Sequence, residues 1–240
     1  MRKSLLATLT ATALVSAAQA QAITLVQWNF NSVVPDATTS SGTLVPNLGN
    51  GTASLVGGTT STFASGDASG GSSDPATGDD SGWQTTAYAA QSTGNKTRGT
   101  QYAVSTLGYQ SISVSWDHRH SNTSARHVQF QYSTNGTTFT DFGLLFPATA
   151  GDTWFNNRSV NLSSISGADN NPDFAFRVVA AFDPLGSGYV ASTNTSSYGT
   201  GGTWRFDMVT VMATPVPEPG ALALMLAGLA AVGFVARRRG

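Results

Sequence analysis

Two stretches near the middle of the chain alternate between apolar and polar residues, and this alternation constrains the fold more than any other feature. In residues 111–117 (SISVSWD) isoleucine, valine and tryptophan are separated by serines, and in residues 127–133 (HVQFQYS) valine, phenylalanine and tyrosine alternate with polar residues. Successive side chains of an extended strand point to opposite faces, so a period of two places the apolar groups on one face. Both stretches are predicted to be half-buried β-strands.

A hairpin and several further strands are predicted around this pair. Asn135-Gly136 favours a tight turn, with a returning strand over residues 138–142. Residues 174–182 are apolar on nearly both faces, which is typical of a central strand in a two-layer stack. Other strands are predicted at residues 24–30, 52–56, 101–106, 158–162 and 204–212. About nine short strands without helical periodicity predict an all-β fold, an antiparallel β-sandwich of jelly-roll type.

Two segments rich in small polar residues are predicted to be loops. Residues 57–82 are mostly Gly, Ser, Thr and Asp, so they cannot bury a core and should form a long surface loop, ordered only if other residues hold it. Residues 183–202 look like a second loop of this kind. Cysteine is absent, which excludes disulfides, cysteine-ligated zinc and a thiol nucleophile.

The charge of the chain is unevenly divided between its body and its ends. Five of the 12 basic residues and one of the 13 acidic residues lie in the terminal segments, so residues 23–214 keep seven basic and twelve acidic residues. Lys96 is the single lysine of this body. Because phosphate binding depends on clustered lysine and arginine, the composition argues against a nucleic-acid partner.

Residues 1–22 have the three parts of a secretory signal peptide. Two basic residues precede an apolar run over residues 5–15, and small residues surround Ala20 and Ala22. We predict export by the Sec machinery and cleavage after one of these alanines, which leaves a globular domain at residues 23–214. An uncleaved N-terminal anchor is the alternative, which the shortness of the apolar run disfavours.

Residues 215–240 form a C-terminal segment of a different kind. Its residues 220–236 are uncharged and would form a helix roughly 25 Å long, just enough to cross a bilayer. We predict a transmembrane helix in the inner membrane, stopped on the cytoplasmic side by a basic cluster, which is Arg237, Arg238 and Arg239. The body then lies on the side to which a signal peptide directs it.

The order of features in this segment resembles a known sorting signal. The apolar run directly follows a short motif, which is Val216, Pro217, Glu218 and Pro219. A Pro-Glu-Pro element, a short Ala/Leu/Gly-rich span and terminal arginines in this order resemble the PEP-CTERM signal of Gram-negative bacteria. The resemblance implies recognition by a membrane-embedded exosortase, which processes the protein near the motif during export. A plain C-terminal anchor with an incidental Pro-Glu-Pro is the alternative.

Parts of the body also resemble a jelly-roll-like module of exported bacterial proteins. These parts are residues 83–85, 94–99, 116–121 and 130–136. Relatives of that module largely lack an assigned activity, so the resemblance implies a fold rather than a function.

Aspartates of the Gly/Ser-rich loop and of the last predicted strand are candidate metal ligands. Calcium favours oxygen ligands on flexible loops, so one structural calcium ion is a hypothesis for this region. The candidates are Asp67, Asp74, Asp79, Asp80 and Asp207. Their spacing does not match an EF-hand loop, and solvated turn residues are the alternative explanation.

His118 and His120 form a second candidate metal site. Residues two apart on a strand share a face, so both imidazoles would lie on the same face as Trp116 and could bind one ion. Burying two imidazoles without partners is costly. We therefore expect the strand to end near Asp117 and the histidines to lie in a polar loop.

Aromatic residues are candidates for binding sugar rings. Trp83 and Trp154 lie beside Gly- and Asp-rich turns, so we expect them to be exposed and able to bind a polysaccharide. Packing in the core is the alternative for any aromatic residue of a sandwich. It applies equally to the remaining candidates, which are Trp204, Tyr88, Tyr109, Tyr189 and Tyr198.

No catalytic residues are assigned. The sequence lacks a Gly-x-Ser-x-Gly elbow, and the scattered aspartates of the body offer no recognisable carboxylate pair. We therefore predict a non-enzymatic exported protein of the cell envelope or extracellular matrix, with a structural or adhesive role. A carbohydrate-binding module is the alternative, and a metal-dependent hydrolase that uses the histidines is a weaker one.

Overall fold

The computed structural model describes residues 21–76, 78–217 and 219–238, which form eleven β-strands, two single-turn 3₁₀ segments and one α-helix. The strands are β1 (Ile23–Trp28), β2 (Thr52–Val56), β3 (Thr60–Ser65), β4 (Ser81–Thr86), β5 (Gly99–Ala103), β6 (Tyr109–His120), β7 (His127–Ser133), β8 (Thr140–Pro147), β9 (Thr153–Asn161), β10 (Ala175–Ala181) and β11 (Trp204–Pro215). The 3₁₀ segments are Ala68–Gly70 and Ser166–Ala168, and the helix α1 is Pro219–Arg238. Except for its last two positions, the predicted signal peptide lies outside the described residues and stays a prediction.

The strands form two antiparallel sheets that pack face to face. One sheet has the order β3-β4-β11-β6-β9, and β1 also pairs with β11. β4 pairs with residues 204–206 of β11 and β1 with residues 209–213, so these two strands follow each other along one edge of β11. The other sheet has the order β2-β5-β10-β7-β8. This arrangement confirms the predicted antiparallel sandwich.

Aromatic side chains fill the space between the sheets. Tyr102 and Phe176 stack with ring centroids 4.8 Å apart, and Phe130 stacks on Phe176 at 5.6 Å and on Trp116 at 5.8 Å. Each fully buried side chain of this size contributes about 1.5–3 kcal/mol relative to an exposed one. The strand predicted to be central, β10, lies in the middle of its sheet.

The prediction of one long loop over residues 57–82 is wrong in part, because two strands extend into this segment. β3 and the start of β4 lie within it, so the segments outside strands are a short turn at residues 57–59 and the loop of residues 66–80. β3 is an edge strand whose sequence, TSTFAS, has one large apolar side chain. Threonine fits an extended backbone well, but a polar edge strand has almost the composition of a loop, which is why the pattern missed it.

The hairpin of β7 and β8 is confirmed, but its turn is longer than the Asn-Gly pair predicts. The returning strand begins at Thr140 rather than at residue 138. Within the pair, Gly136 has a positive φ of 71°, whereas Asn135 does not. The Asn135 side-chain oxygen instead accepts hydrogen bonds from the backbone N–H groups of the two residues after Gly136. A side-chain acceptor of this kind stabilises a wider loop.

β6 is also longer than predicted, which corrects the position of the two histidines. The strand continues past Asp117 and ends at His120. β9 and β11 pair with it along this extension, so its backbone groups are bonded on both sides. His118 and His120 therefore enter the core instead of a polar loop.

Candidate functional site

Three aspartates that are distant in sequence meet beside the central strand β11. One carboxylate oxygen from each of Asp74, Asp80 and Asp207 lies within 4.8 Å of the other two. Asp207 belongs to β11, whereas Asp74 and Asp80 belong to the loop of residues 66–80. The structure thus brings together three of the predicted ligands, which are Asp74, Asp80 and Asp207.

Two bulges flank β6 at the level of this cluster. β11 has one extra residue after Asp207, where Met208 has a φ of 46° and donates its N–H to Asp207 Oδ1 at 2.7 Å. β9 has one extra residue opposite Asp117, where Asn157 has a φ of 57°. A positive φ is unfavourable for residues with a side chain, and bulges redirect neighbouring side chains. The bulges therefore help to set the direction of the acidic groups.

Asp117 and Asn31 are members of this site that the sequence analysis did not identify. Asp117 accepts a backbone hydrogen bond from Ser73 in the loop and another from the bulge in β9. Asn31 donates to Asp74 Oδ2 at 2.9 Å and accepts from the backbone of Ser81 at 2.7 Å. Each residue lies at or directly after the end of a strand predicted from the sequence, and a polar side chain in that position is common in any sandwich.

Gly66 permits the close approach of the loop to Asp80. Its N–H donates to the Asp80 carbonyl oxygen at 2.8 Å. A Cβ atom on Gly66 would lie 2.0 Å from Asp80 Oδ1, well inside contact distance. A glycine is therefore required here for the backbone to pass the carboxylate.

Two carboxylate oxygens of the cluster are buried without a hydrogen-bond partner among the residues that the structure describes. Asp207 is 0% exposed and Asp80 is 1% exposed, and Asp207 Oδ2 and Asp80 Oδ1 receive no donor. Across the described parts of the chain, no lysine or arginine forms a salt bridge with either residue or with Asp74. Buried carboxylates without compensation are unfavourable, so the site requires protons or a cation.

Both buried carboxyl groups bind protons more strongly than exposed aspartates do. The pKa of Asp80 is raised to about 6, chiefly by burial and also by the charges of Asp74 and Asp67, while a hydrogen bond with Asp207 opposes the rise. Burial, followed by repulsion from Asp80, raises the pKa of Asp207 well above its usual range. A bound cation would reverse this preference, because it stabilises the ionised forms.

The spacing of the three oxygens fits a calcium ion. Calcium binds oxygen at about 2.3–2.6 Å, so two oxygens on one ion lie at most about 5 Å apart. The three oxygens lie within 4.8 Å of one another and so satisfy this limit. Asp74 already accepts hydrogen bonds on both oxygens, and each oxygen keeps a further lone pair for an ion.

Asp79 does not join this cluster, which corrects its assignment as a ligand beside Asp80 and Asp207. Its carboxyl group lies next to that of Asp36 instead. Burial, followed by a hydrogen bond with Asp36, raises the pKa of Asp79.

His118 and His120 lie in the core rather than in a metal site. Both are 0% exposed, and their ring centroids are 4.1 Å apart. His118 stacks on Phe206 at 4.5 Å, and His120 Nδ1 donates to the Ala125 carbonyl oxygen at 3.0 Å. Burial lowers the pKa of both imidazoles, so they are neutral at pH 7. Such an enclosed pair offers a substrate no access.

Trp83 and Trp154 are buried, so the expectation that they are exposed is wrong. Trp83 packs in the core against Phe30 and Tyr102, with ring centroids 5.6 and 6.2 Å apart. Trp154 Nε1 donates to the carbonyl oxygen of Ala68 at 2.8 Å and so anchors the loop of residues 66–80. Neither ring offers an open face for a sugar.

The C-terminal segment follows the central strand without a linker. β11 ends at Pro215, and the backbone N–H of Val216 donates to the Gly108 carbonyl oxygen at 2.8 Å. Helix α1 then begins at Pro219. Glu218, between them, lies outside the described residues. The predicted motif at residues 216–219 is therefore attached directly to the sandwich.

Helix α1 covers the segment predicted to cross the membrane. Its last turn contains Arg237 and Arg238, while Arg239 lies outside the described residues. Within the portion of the chain that the structure describes, no helix is long and apolar enough to span a membrane, so the predicted span at residues 220–236 is not confirmed.

This C-terminal segment matches a protein-family model. The model describes the PEP-CTERM protein-sorting motif, and it matches residues 215–239. Residues 215–239 are a PEP-CTERM sorting motif. The PEP-CTERM motif indicates an exported protein that an exosortase sorts, which confirms the resemblance drawn from the sequence.

A comparison with solved structures finds domains of other proteins at low sequence identity and TM-scores below 0.5. The CBM22-1 xylan-binding domain from Paenibacillus barcinonensis Xyn10C is 11% identical with a TM-score of 0.48, and the match covers 84% of this chain and 100% of that domain. TmCBM61, solved with β-1,4-galactotriose, is 7% identical with a TM-score of 0.37, and the match covers 67% of this chain and 86% of that chain. The K1 cleaved adhesin domain of Lys-gingipain from Porphyromonas gingivalis W83 is 13% identical with a TM-score of 0.35, and the match covers 70% of this chain and 100% of that chain. No curated protein sequence matches the chain significantly.

Proposed function

We propose that the chain is an exosortase-sorted protein of the cell envelope or extracellular matrix, whose non-catalytic sandwich binds one calcium ion. The PEP-CTERM motif supports the sorting route. The observation that carries the calcium site is the pair of buried carboxylate oxygens, on Asp80 and Asp207, to which no N–H or O–H group of the described residues donates. Asp74 supplies the third ligand.

The proposed role of the ion is structural. Asp80 and Asp207 are almost completely buried, so the site is closed to a substrate. An ion held there joins the loop of residues 66–80 to the central strand β11 and compensates charges that the protein itself leaves uncompensated. A structural or adhesive role outside the cytoplasm fits a domain stabilised in this way.

The export route in this proposal uses both ends of the chain. The Sec machinery recognises residues 1–22, and the segment of residues 220–236 keeps the chain at the inner membrane until exosortase acts near residues 216–219. The hydrolase alternative loses the residues on which it was based, because it would need accessible histidines. The carbohydrate-binding alternative loses only its predicted tryptophan site, which would need exposed rings. His118, His120, Trp83 and Trp154 are all buried.

Calcium binding is tested by calorimetric titration of chelator-treated protein, and we expect one site per chain. Asp207→Asn keeps the size of the side chain but removes a buried ligand charge, so the affinity should fall by about tenfold or more. Asp173→Asn, at an exposed aspartate outside the cluster, is the matched control and should bind like the wild type. Circular dichroism confirms that each variant is folded. Equal affinity in Asp207→Asn, or no binding by the wild type, would contradict the proposal.

Sorting is tested by mass spectrometry of the protein recovered from its native host. We expect a polypeptide that begins at residue 21 or 23 and lacks the arginine cluster. Replacing both prolines of the motif (Pro217→Ala with Pro219→Ala) removes the extended backbone that the enzyme reads, so this variant should keep its C-terminal tail. Pro184→Ala, in an exposed loop, is the control and should be processed normally. Normal processing of the motif variant argues against exosortase recognition of this element.

A further inference from the structure

A polar pocket opens between the segment after β4 and the loop after β10. Its volume is about 350 Å³, within the range of small-molecule sites. The pocket is lined by the polar or aromatic side chains of Gln91, Arg126, Tyr189, Asn194 and Tyr198, and by hydroxyl groups from residues 193–197. A pocket that is mostly polar but includes aromatic rings suits a polyhydroxylated ligand better than an apolar one.

Two stacked tyrosines form the aromatic wall. The rings of Tyr189 and Tyr198 are 4.7 Å apart and inclined by 26°, and Phe182 packs edge-on against Tyr189 at 4.7 Å. The Tyr198 hydroxyl donates to the Ala89 carbonyl oxygen at 2.6 Å, which fixes the ring in place. Tyr189 is buried, whereas Tyr198 is half-buried and keeps part of its surface on the pocket.

Hydrogen bonds hold the backbone of this wall before any ligand binds. Gln91 donates to the Tyr189 carbonyl oxygen and accepts from the Tyr189 N–H, both at 2.8 Å. The Tyr189 hydroxyl donates to Gly94 in the opposite segment at 2.8 Å. Prior ordering lowers the entropic cost of binding, so even a small ligand can bind with useful affinity.

Arg126 supplies a positive charge that no carboxylate compensates. Its Nε donates to the Ala191 carbonyl oxygen at 3.0 Å and its Nη2 to Asn194 Oδ1 at 2.6 Å. Over the described chain, Arg126 forms no salt bridge and its Nη1 donates to no acceptor. The guanidinium group is thus oriented by neutral oxygens and keeps free N–H groups, which suits a carboxylate ligand.

We propose that this pocket binds an acidic saccharide, with the carboxylate of a uronic acid unit on Arg126 and the face of the sugar ring on Tyr198. The side-chain amide of Asn194 and the neighbouring hydroxyls are placed to bond the ring hydroxyls. The inference goes beyond the proposed function, because it gives the exported sandwich a ligand. It does not depend on the calcium site, which consists of other residues.

The test is calorimetric titration of the folded protein with a galacturonic acid trisaccharide and with the matching neutral galactose trisaccharide. We expect the acidic sugar to bind about tenfold more tightly than the neutral one, since a charge-assisted hydrogen bond is lost in the neutral complex. Arg126→Gln should remove this preference for the acidic sugar, and Tyr198→Ala should weaken the binding of both trisaccharides. Arg177→Gln is the matched control, because Arg177 also lacks a salt bridge among the described residues but lies over Phe139, outside the pocket.

Three outcomes would overturn the inference. One is equal binding of the acidic and neutral trisaccharides, and another is unchanged binding of the acidic trisaccharide by Arg126→Gln. The third has two parts: sodium sulfate displaces the acidic trisaccharide, and Tyr198→Ala binds that trisaccharide as tightly as the wild type does. This result would mean that the pocket is a simple anion site. Arg126→Lys keeps the charge but loses the fork of donors, so it should bind the acidic sugar with intermediate affinity. Melting curves of every variant separate loss of binding from loss of folding.

Discussion

Removal of calcium is expected to lower the melting temperature of the sandwich by about 8–16 °C at pH 7.5. An ion present at a thousandfold excess over its dissociation constant stabilises the folded state by about 4 kcal/mol. Each kcal/mol shifts the melting temperature of a domain of this size by about 2–4 °C. Differential scanning calorimetry in calcium and in chelator measures the difference directly.

The calcium effect should depend on pH in a defined direction. In the calcium-free fold, burial raises the pKa of Asp80 to about 6 and raises that of Asp207. These folded-state pKa values exceed those of the unfolded chain, so the contribution of both groups to stability is present below about pH 4 and is lost as the pH rises, for Asp80 through about 6. Calcium requires the ionised forms, so its stabilisation should be larger at pH 7.5 than at pH 5.

Asp207→Asn separates this effect from a general response to chelator. It removes one buried charge, so the calcium-free variant should be more stable than the calcium-free wild type at pH 7.5, and it should gain little from added calcium. Asp173→Asn should behave like the wild type. A melting temperature that is the same in calcium and chelator would refute the structural role of the ion.

Acid is expected to destabilise the sandwich through its buried histidines. His118 and His120 have pKa values well below their usual range, chiefly because of burial. When the folded-state pKa is lowered, the unfolded chain binds protons first, so stability is full above about pH 6.5 and is lost as the pH falls below it. At pH 5 the two groups together lower the free energy of unfolding by up to about 4 kcal/mol relative to its value above pH 6.5.

His118→Leu isolates the contribution of one imidazole. Neither ring nitrogen of His118 has a hydrogen-bond partner among the described residues, so the leucine loses no observed bond and cannot be protonated. Urea unfolding at pH 5 and pH 7 should show about half the acid sensitivity of the wild type in this variant. His127→Gln changes a half-buried histidine and is the control, with a smaller effect. An unchanged dependence on pH in His118→Leu would contradict the explanation.

The alternating pattern predicted the sandwich because it reports directly on a one-sided strand. β7 has the predicted bounds, and the predicted apolar run of β10 lies at the centre of its sheet. Edge strands carry less of this signal, since one large side chain is enough to attach them. This is why β3 falls inside a predicted loop.

The candidate site was predictable in residue type but only partly in geometry. Asp80 and Asp207 were identified because aspartates are calcium ligands, yet their proximity depends on a bulge and on a loop fixed by Asp117. The histidines and tryptophans were misplaced because local polarity was used as a guide to exposure. His118 is buried by rings from distant strands, and Trp154 is covered by the loop that it anchors.

The direct connection between β11 and the sorting motif determines how the domain carries mechanical load. A pull on residue 216 acts along a strand that is bonded to β6 on one side and to β1 and β4 on the other. These ladders would be sheared all together rather than unzipped bond by bond. Ile23 pairs with Ala213, so the first strand starts beside the same point and braces it. The sorting motif is thus joined to a strand that is paired along both of its edges.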